Sequence, residues 1–216
     1  MKKLLGFSIF LVFVLIASLT AEAKVTLPAI FSDNMVLQQN TQVNVWGKAA
    51  PGEKVTVKAS WLDKAVTAKA AANGKWTVKL KTPKAITNQS VTVSGENEIT
   101  INNVLIGEVW LCTGQSNMEF PVSRHPDVKW NTGMLNEAEE LKDADYPEIR
   151  LFHVKHQLAH EGELDDCEGE WLVCNPKNLY DFSAVGFVFG RKLYKELKMP
   201  VGLIQSTWGG THAESW

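Results

Sequence analysis

Apolar and polar residues alternate through the stretch that follows an apolar leader. Gln42-Val-Asn-Val-Trp46, Lys54-Val-Thr-Val-Lys58, Lys75-Trp-Thr-Val-Lys-Leu80, Ser90-Val-Thr-Val-Ser94 and Glu98-Ile-Thr-Ile101 each turn every second side chain to one face. A period of two predicts strands buried on one side. Pro51-Gly52 and Asn73-Gly74 punctuate the runs, and Asn-Gly is a favoured two-residue hairpin loop. Short strands at this spacing predict a small β-sandwich over residues 24–103.

At Val104 the pattern changes. Val104-Leu-Ile-Gly-Glu-Val-Trp-Leu-Cys112 is mostly apolar and is broken by Gly114, which predicts a strand buried on both faces. A short helix is expected over 133–142 and an extended segment over 148–157. Ser183 is placed to cap a helix in which Val185, Phe189, Leu193 and Leu197 recur every four residues. Lys192, Lys195 and Lys198 suit its C-terminal dipole, Met199-Pro200 stops it, and Val201-Gly-Leu-Ile204 reads as a second buried strand. Helix followed by apolar strand is the second half of a β-α-β unit, so 104–216 is expected to be α/β with a parallel sheet. The sequence stops at Trp216, just after a strand and its loop. Two or three strands cannot cover both faces of a doubly wound sheet, so this domain is expected to be truncated at its C-terminus.

The leader changes the compartment. Lys2 and Lys3 precede an apolar run from Leu4 to Leu19, and Ala21-Glu22-Ala23 supplies a small-residue cleavage site. Residues 1–23 read as a secretory signal peptide, too short to span a bilayer. The mature chain is expected to be exported, periplasmic or secreted, with no membrane anchor after cleavage. A net charge of −2 with no basic stripe argues against nucleic acid as a partner. Eight tryptophans suit a glycan-handling protein, since sugar rings stack on aromatic faces, although core packing is their commoner role. An exported chain permits a disulfide between Cys167 and Cys174, with Cys112 left in its apolar strand; that pairing stays open. No C-x-x-C spacing points to zinc.

Ser116 follows the first apolar strand through Thr113 and Gly114. A serine at the C-terminal edge of such a strand faces the crevice where open α/β sheets bind ligands. Its own N–H can donate to a developing oxyanion. The plainer reading of the spacing is a helix cap. The second strand ends in Gln205-Ser-Thr-Trp-Gly-Gly-Thr211, and glycines let backbone N–H groups approach a ligand closely. In a parallel sheet both ends lie on one edge, so Ser116 can face Gly209 and Gly210.

Gly107-Glu-Val-Trp-Leu-Cys-Thr-Gly-Gln-Ser-Asn-Met118 and Val201-Gly-Leu-Ile-Gln-Ser-Thr-Trp-Gly-Gly-Thr211 resemble the sialate O-acetylesterase family. That family lies in the SGNH-hydrolase superfamily and is related to acetylxylan esterases that share G-Q-S-N. Leu27-Pro-Ala-Ile-Phe-Ser-Asp-Asn-Met-Val-Leu-Gln38, Trp46-Gly47, Pro51-Gly52 and Phe182-Ser-Ala-Val-Gly186 extend the likeness over nearly all of the mature chain. The resemblance implies an SGNH-type hydrolase domain over 104–216, preceded by the β-sandwich. It implies Ser116 as nucleophile on the acetyl carbonyl of an O-acetylated sugar, with oxyanion donors from the N–H groups of Ser116, Gly209 and Gly210. Gln115, Asn117 and His212 become candidate pocket residues; the family more often has Pro where His212 stands. The family's general base is a His in a D-x-x-H motif, which these 216 residues do not contain.

His153, His156 and His160 are spaced as a helical metal site would be, but Arg150-Leu-Phe-His-Val reads as a strand, where the three would not share a face. They are expected to be structural or surface residues, and no metal or cofactor is expected. The leading expectation is a serine esterase acting on sialic acid or related glycans. Behind it stand an acetylxylan or other plant-polysaccharide acetylesterase, a non-catalytic glycan-binding protein and, more distantly, a metal-dependent hydrolase.

Overall fold

The alternating segments do form strands, and β5 (Lys75–Lys81) shows why. Its Trp76, Val78 and Leu80 are buried while the four lysine and threonine positions between them face water. A computed structural model describes residues 24–125, 127, 133–160 and 162–212; the expected signal peptide lies outside the described residues. β5 pairs antiparallel with β2 (Gln42–Lys48) as a separate two-stranded sheet. Facing it, β4 (Val66–Lys69), β3 (Lys54–Ala59), β6 (Ile86–Ser94) and β7 (Glu98–Gly114) run side by side, and β1 (Val36–Gln38) adds to β7 in parallel. Val45, Val55, Val57, Trp76, Leu80, Val91 and Ile101 fill the core between the two layers.

The Asn73-Gly74 turn differs from its expected role. It joins β4 of one sheet to β5 of the other instead of closing a two-residue hairpin. Gly74 takes φ +76 there and donates to Ala71 O at 2.9 Å. Asn-Gly supplies the left-handed backbone a tight turn needs, but which strands pair is decided by the faces that must be buried.

Two expected strands prove to be one. β7 runs for 17 residues without a break. Its first half pairs antiparallel with β6, and its second half, from Glu108, pairs parallel with β10 (Val201–Thr207). Asn103 absorbs the irregularity with φ +54, a region asparagine tolerates. β10 also pairs parallel with β8 (Tyr146–His153), and β9 (Trp171–Cys174) closes that edge antiparallel. The parallel trio β7-β10-β8 is the α/β sheet expected from the sequence.

The helix after Ser183 is α4 (Ala184–Leu197), following the short α1 (Ser116–Glu119), α2 (Glu137–Lys142) and α3 (Pro176–Leu179). Ser183 caps it, its Oγ accepting the Gly186 N–H at 3.0 Å. The face it buries is not the expected one. Ala184, Gly186, Phe187 and Gly190 lie against the sheet, while Val185, Phe189 and Leu197 are 39–51% exposed. Close approach explains this: a Cβ on Gly190 would stand 2.5 Å from Leu203 Cδ1, so the glycine side is the one that fits β10. The end of β7 is likewise less covered than its apolar sequence predicts, with Trp110 43% and Leu111 62% exposed. Trp110 meets Phe189 edge-on at 5.0 Å. No described helix is long and apolar enough to cross a membrane.

Candidate active site

Strand register brings Ser116 to the 208–210 loop. Gln205, Ser206 and Thr207 lie opposite Cys112, Thr113 and Gly114, so β7 and β10 leave the sheet at the same level. Trp208 N–H then donates to Gly114 O at 3.0 Å. Gly114 takes φ +141, a turn open to glycine, and the chain enters α1 with Ser116 as its first residue. The Gln115 carbonyl accepts from Met118 and Glu119 N–H at 3.0 and 2.9 Å. A Cβ on Gly209 would lie 3.0 Å from Ser116 Oγ, so the hydroxyl packs directly on that glycine. Ser116, Gln115 and Asn117 are all exposed. Gly210 has φ +79 with open space around it, and His212 is exposed beyond it.

Two further residues join the site. Glu119 Oε2 accepts the Gly209 N–H at 2.6 Å, and its Oε1 stands 3.0 Å from His156 Nε2. His156 Nε2 also lies 2.7 Å from the Thr207 carbonyl. A carbonyl only accepts, so this nitrogen carries the proton. The imidazole stacks on Trp208 with ring centroids 4.3 Å apart and planes 4° from parallel. Glu119 was legible in principle, since three residues past Ser116 is one helical turn. His156 gave no local sign of this role; only the β8–β10 pairing carries it to Trp208.

The other histidines lie apart. His153 sits against Phe182, edge-on at 6.4 Å, and burial holds its imidazole below the usual 6.5, against the pull of Asp181. His125 pairs with Asp181 at 2.6 Å, and His160 is exposed. Behind the site Gln205 is fully buried; its Oε1 accepts the Ser183 N–H at 2.7 Å and its amide donates to Thr207 Oγ1 at 3.0 Å. This fixes the α4 cap to the end of β10. Cys112, Cys167 and Cys174 are free thiols, so the pairing left open for Cys167 and Cys174 is not made in this structure. Burial pushes the Cys174 thiol up to about 12.

No family model matches the chain. It is similar to sialate O-acetylesterases of Mus musculus, 33% identical over 208 residues covering 87% of this chain, and of Homo sapiens, 31% identical over 204 residues covering 86%. In both cases the chain spans 37% of the relative's length. Its fold matches the crystal structure of a carbohydrate acetylesterase from Xanthomonas citri with a TM-score of 0.78 and 32% identity, covering 89% of this chain and 42% of that one. The chain is thus similar in sequence to part of the sialate O-acetylesterases and in its α/β fold to part of a carbohydrate acetylesterase.

Proposed function

We propose that the protein is an exported serine esterase that removes O-acetyl groups from sialic acid or related glycans. The observation that carries this is the packing of Ser116 Oγ on Gly209, at the shared edge of two parallel strands. Ser116 Oγ attacks the acetyl carbonyl carbon; the C–O bond to the sugar breaks, the sugar oxygen takes a proton, and water hydrolyses the acetyl-enzyme. Serine ester hydrolysis of this kind needs no metal or cofactor.

The Ser116 N–H, with those of Gly209 and Gly210, forms the oxyanion site in this reading. The Gly209 N–H now rests on Glu119, so the acyl oxygen takes that donor over while Glu119 keeps His156. One such donor is worth about 3 kcal/mol in the transition state. Gln115, Asn117 and His212 stand at the rim, where exposed side chains meet the sugar. The general base implied by the family is a D-x-x-H histidine absent from this sequence, and no described histidine is given that role. A β-sandwich over 24–103, a hydrolase part over 104–216 that shares β7 with it, and signal cleavage after Ala23 belong to the same reading; mass spectrometry of the exported protein should find Lys24 at its N-terminus.

A second reading, a plant-polysaccharide acetylesterase, is favoured by the bacterial structural match, which is described by carbohydrate in general. Turnover of O-acetylated sialic acid against acetylated xylan by the whole protein separates the two. Absence of turnover on both, and on an aryl acetate, overturns the esterase reading.

A further inference from the structure

Away from Ser116, a cavity of about 300 Å³ opens between the β2–β5 sheet and the segment leading into β9. Trp46 is 40% exposed at its wall, held edge-on by Phe31 with ring centroids 4.6 Å apart. Trp76 also lines it, and its buried indole N–H has no partner among the described residues. Asp165 bridges Lys48 at 2.8 Å and Lys75 at 2.5 Å. Those two ammonium groups hold its carboxyl down to about 2, so it is ionised at any working pH. Asp166 is fixed beside it, Oδ1 accepting the N–H groups of Ala29 and Cys167 at 3.0 and 2.8 Å.

An aromatic face beside fixed hydrogen-bonding groups is what a pyranose ring requires: its C–H face lies on the indole and its hydroxyls reach the polar rim. The charges choose among sugars. Two lysines and two aspartates cancel, and both ammonium heads already share Asp165, so the rim offers no uncommitted cation for a carboxylate. Asp166 also lines a second hollow, of about 380 Å³, walled by His156, Leu164 and Trp208. Trp208 stands in the loop beside Ser116, so Asp166 belongs both to the Trp46 cavity and to a hollow on the Ser116 side.

We propose that the Trp46 cavity is a non-catalytic subsite for neutral sugar residues, one end of a glycan chain laid over the protein toward Ser116. The link to an acetyl-bearing chain rests on the esterase reading; the binding of neutral sugar does not.

The test titrates the 216-residue chain with xylohexaose and with 3′-sialyllactose, following tryptophan fluorescence and calorimetry. Xylohexaose is expected to bind and sialyllactose to bind more weakly. Trp46→Ala should weaken xylohexaose binding about tenfold, or about 1.4 kcal/mol. Asp165→Ala, a surface change that leaves the Phe31–Trp46 contact alone, should weaken it about threefold, which keeps the test sound should Trp46→Ala unfold. Unchanged xylohexaose affinity in Asp165→Ala and in a folded Trp46→Ala overturns the subsite. So does preference for sialyllactose, or no binding by either sugar up to ~10 mM. Aryl acetate hydrolysis by the whole protein is read in parallel: Trp46→Ala should leave it at the wild-type rate. Loss of that activity in wild type and variant alike counts against the esterase, not against the subsite.

Discussion

Alanine at position 209 puts a methyl group where two other atoms already stand. Its Cβ would lie 2.6 Å from Glu119 Oε2 and 3.0 Å from Ser116 Oγ. Gly209 is not among the glycines with positive φ, so the objection is space and not backbone strain. Carbon needs about 3.5 Å from such neighbours, so the Glu119 carboxylate must swing aside and the Ser116 hydroxyl must shift by about 0.5 Å. A misplacement of ~1 Å at a reacting centre costs on the order of 10²-fold, so half of it should cost on the order of tenfold, or about 1.4 kcal/mol. Gly52→Ala, in a sandwich turn away from Ser116, is the control. It meets only Lys69 Cε at 3.6 Å, but its φ of +82 should cost about 1–2 kcal/mol of stability. Steady-state kinetics of the whole protein on an aryl acetate, with thermal midpoints beside them, should show about a tenfold loss of kcat and a modest change in KM for Gly209→Ala. Gly52→Ala should lower the midpoint and keep kcat within a few-fold. A Gly209→Ala enzyme with near wild-type kcat would refute the oxyanion and packing argument together.

Other outcomes follow from the same geometry. Ser116→Ala should abolish turnover of the whole protein to a residual of order 10³–10⁴ over water with an unchanged circular dichroism spectrum; half of the wild-type kcat would remove Ser116 as nucleophile. Gly190→Ala should destabilise the chain by about 1–3 kcal/mol in urea titration, because its Cβ drives into Leu203 under α4. Glu140 pairs with Arg191, and the hydrogen bond to Arg191 holds its carboxyl below the usual 4.5. That stability is therefore fully present above about pH 4.5 and is lost as pH falls through the lowered value. Glu140→Gln should cost about 1.5–3 kcal/mol at pH 7, a difference that shrinks in acid; a constant difference down to pH 2 would contradict the pairing.

The sequence carried the strands well because alternation is local: β2, β3, β5, the end of β6 and the start of β7 follow the apolar period. Pairing is not local, which is why Asn73-Gly74 read as a hairpin and joins two sheets instead. The α4 stripe misled for a related reason. Counting large apolar residues points to Val185 and Phe189, but Gly186 and Gly190 allow the close contact, and a missing side chain has no hydropathy to count. At the site, motif and strand order were enough to bring Ser116 to Gly209. His156 was out of reach, because its meeting with Glu119 depends on where the chain runs after β8 crosses the sheet.

The unbroken course of β7 bears on how the molecule comes apart. A strand of 17 residues is on the order of 56 Å long at ~3.3 Å per residue. It is one beam shared by the sandwich and the parallel sheet, and neither half can melt without freeing a sheet edge in the other. Hydrogen exchange should find the amides of Leu105 to Val109, where β1, β6 and β10 converge on β7, among the last to open. Cutting the chain at 103 would sever that beam in mid-span instead of parting two modules at a hinge.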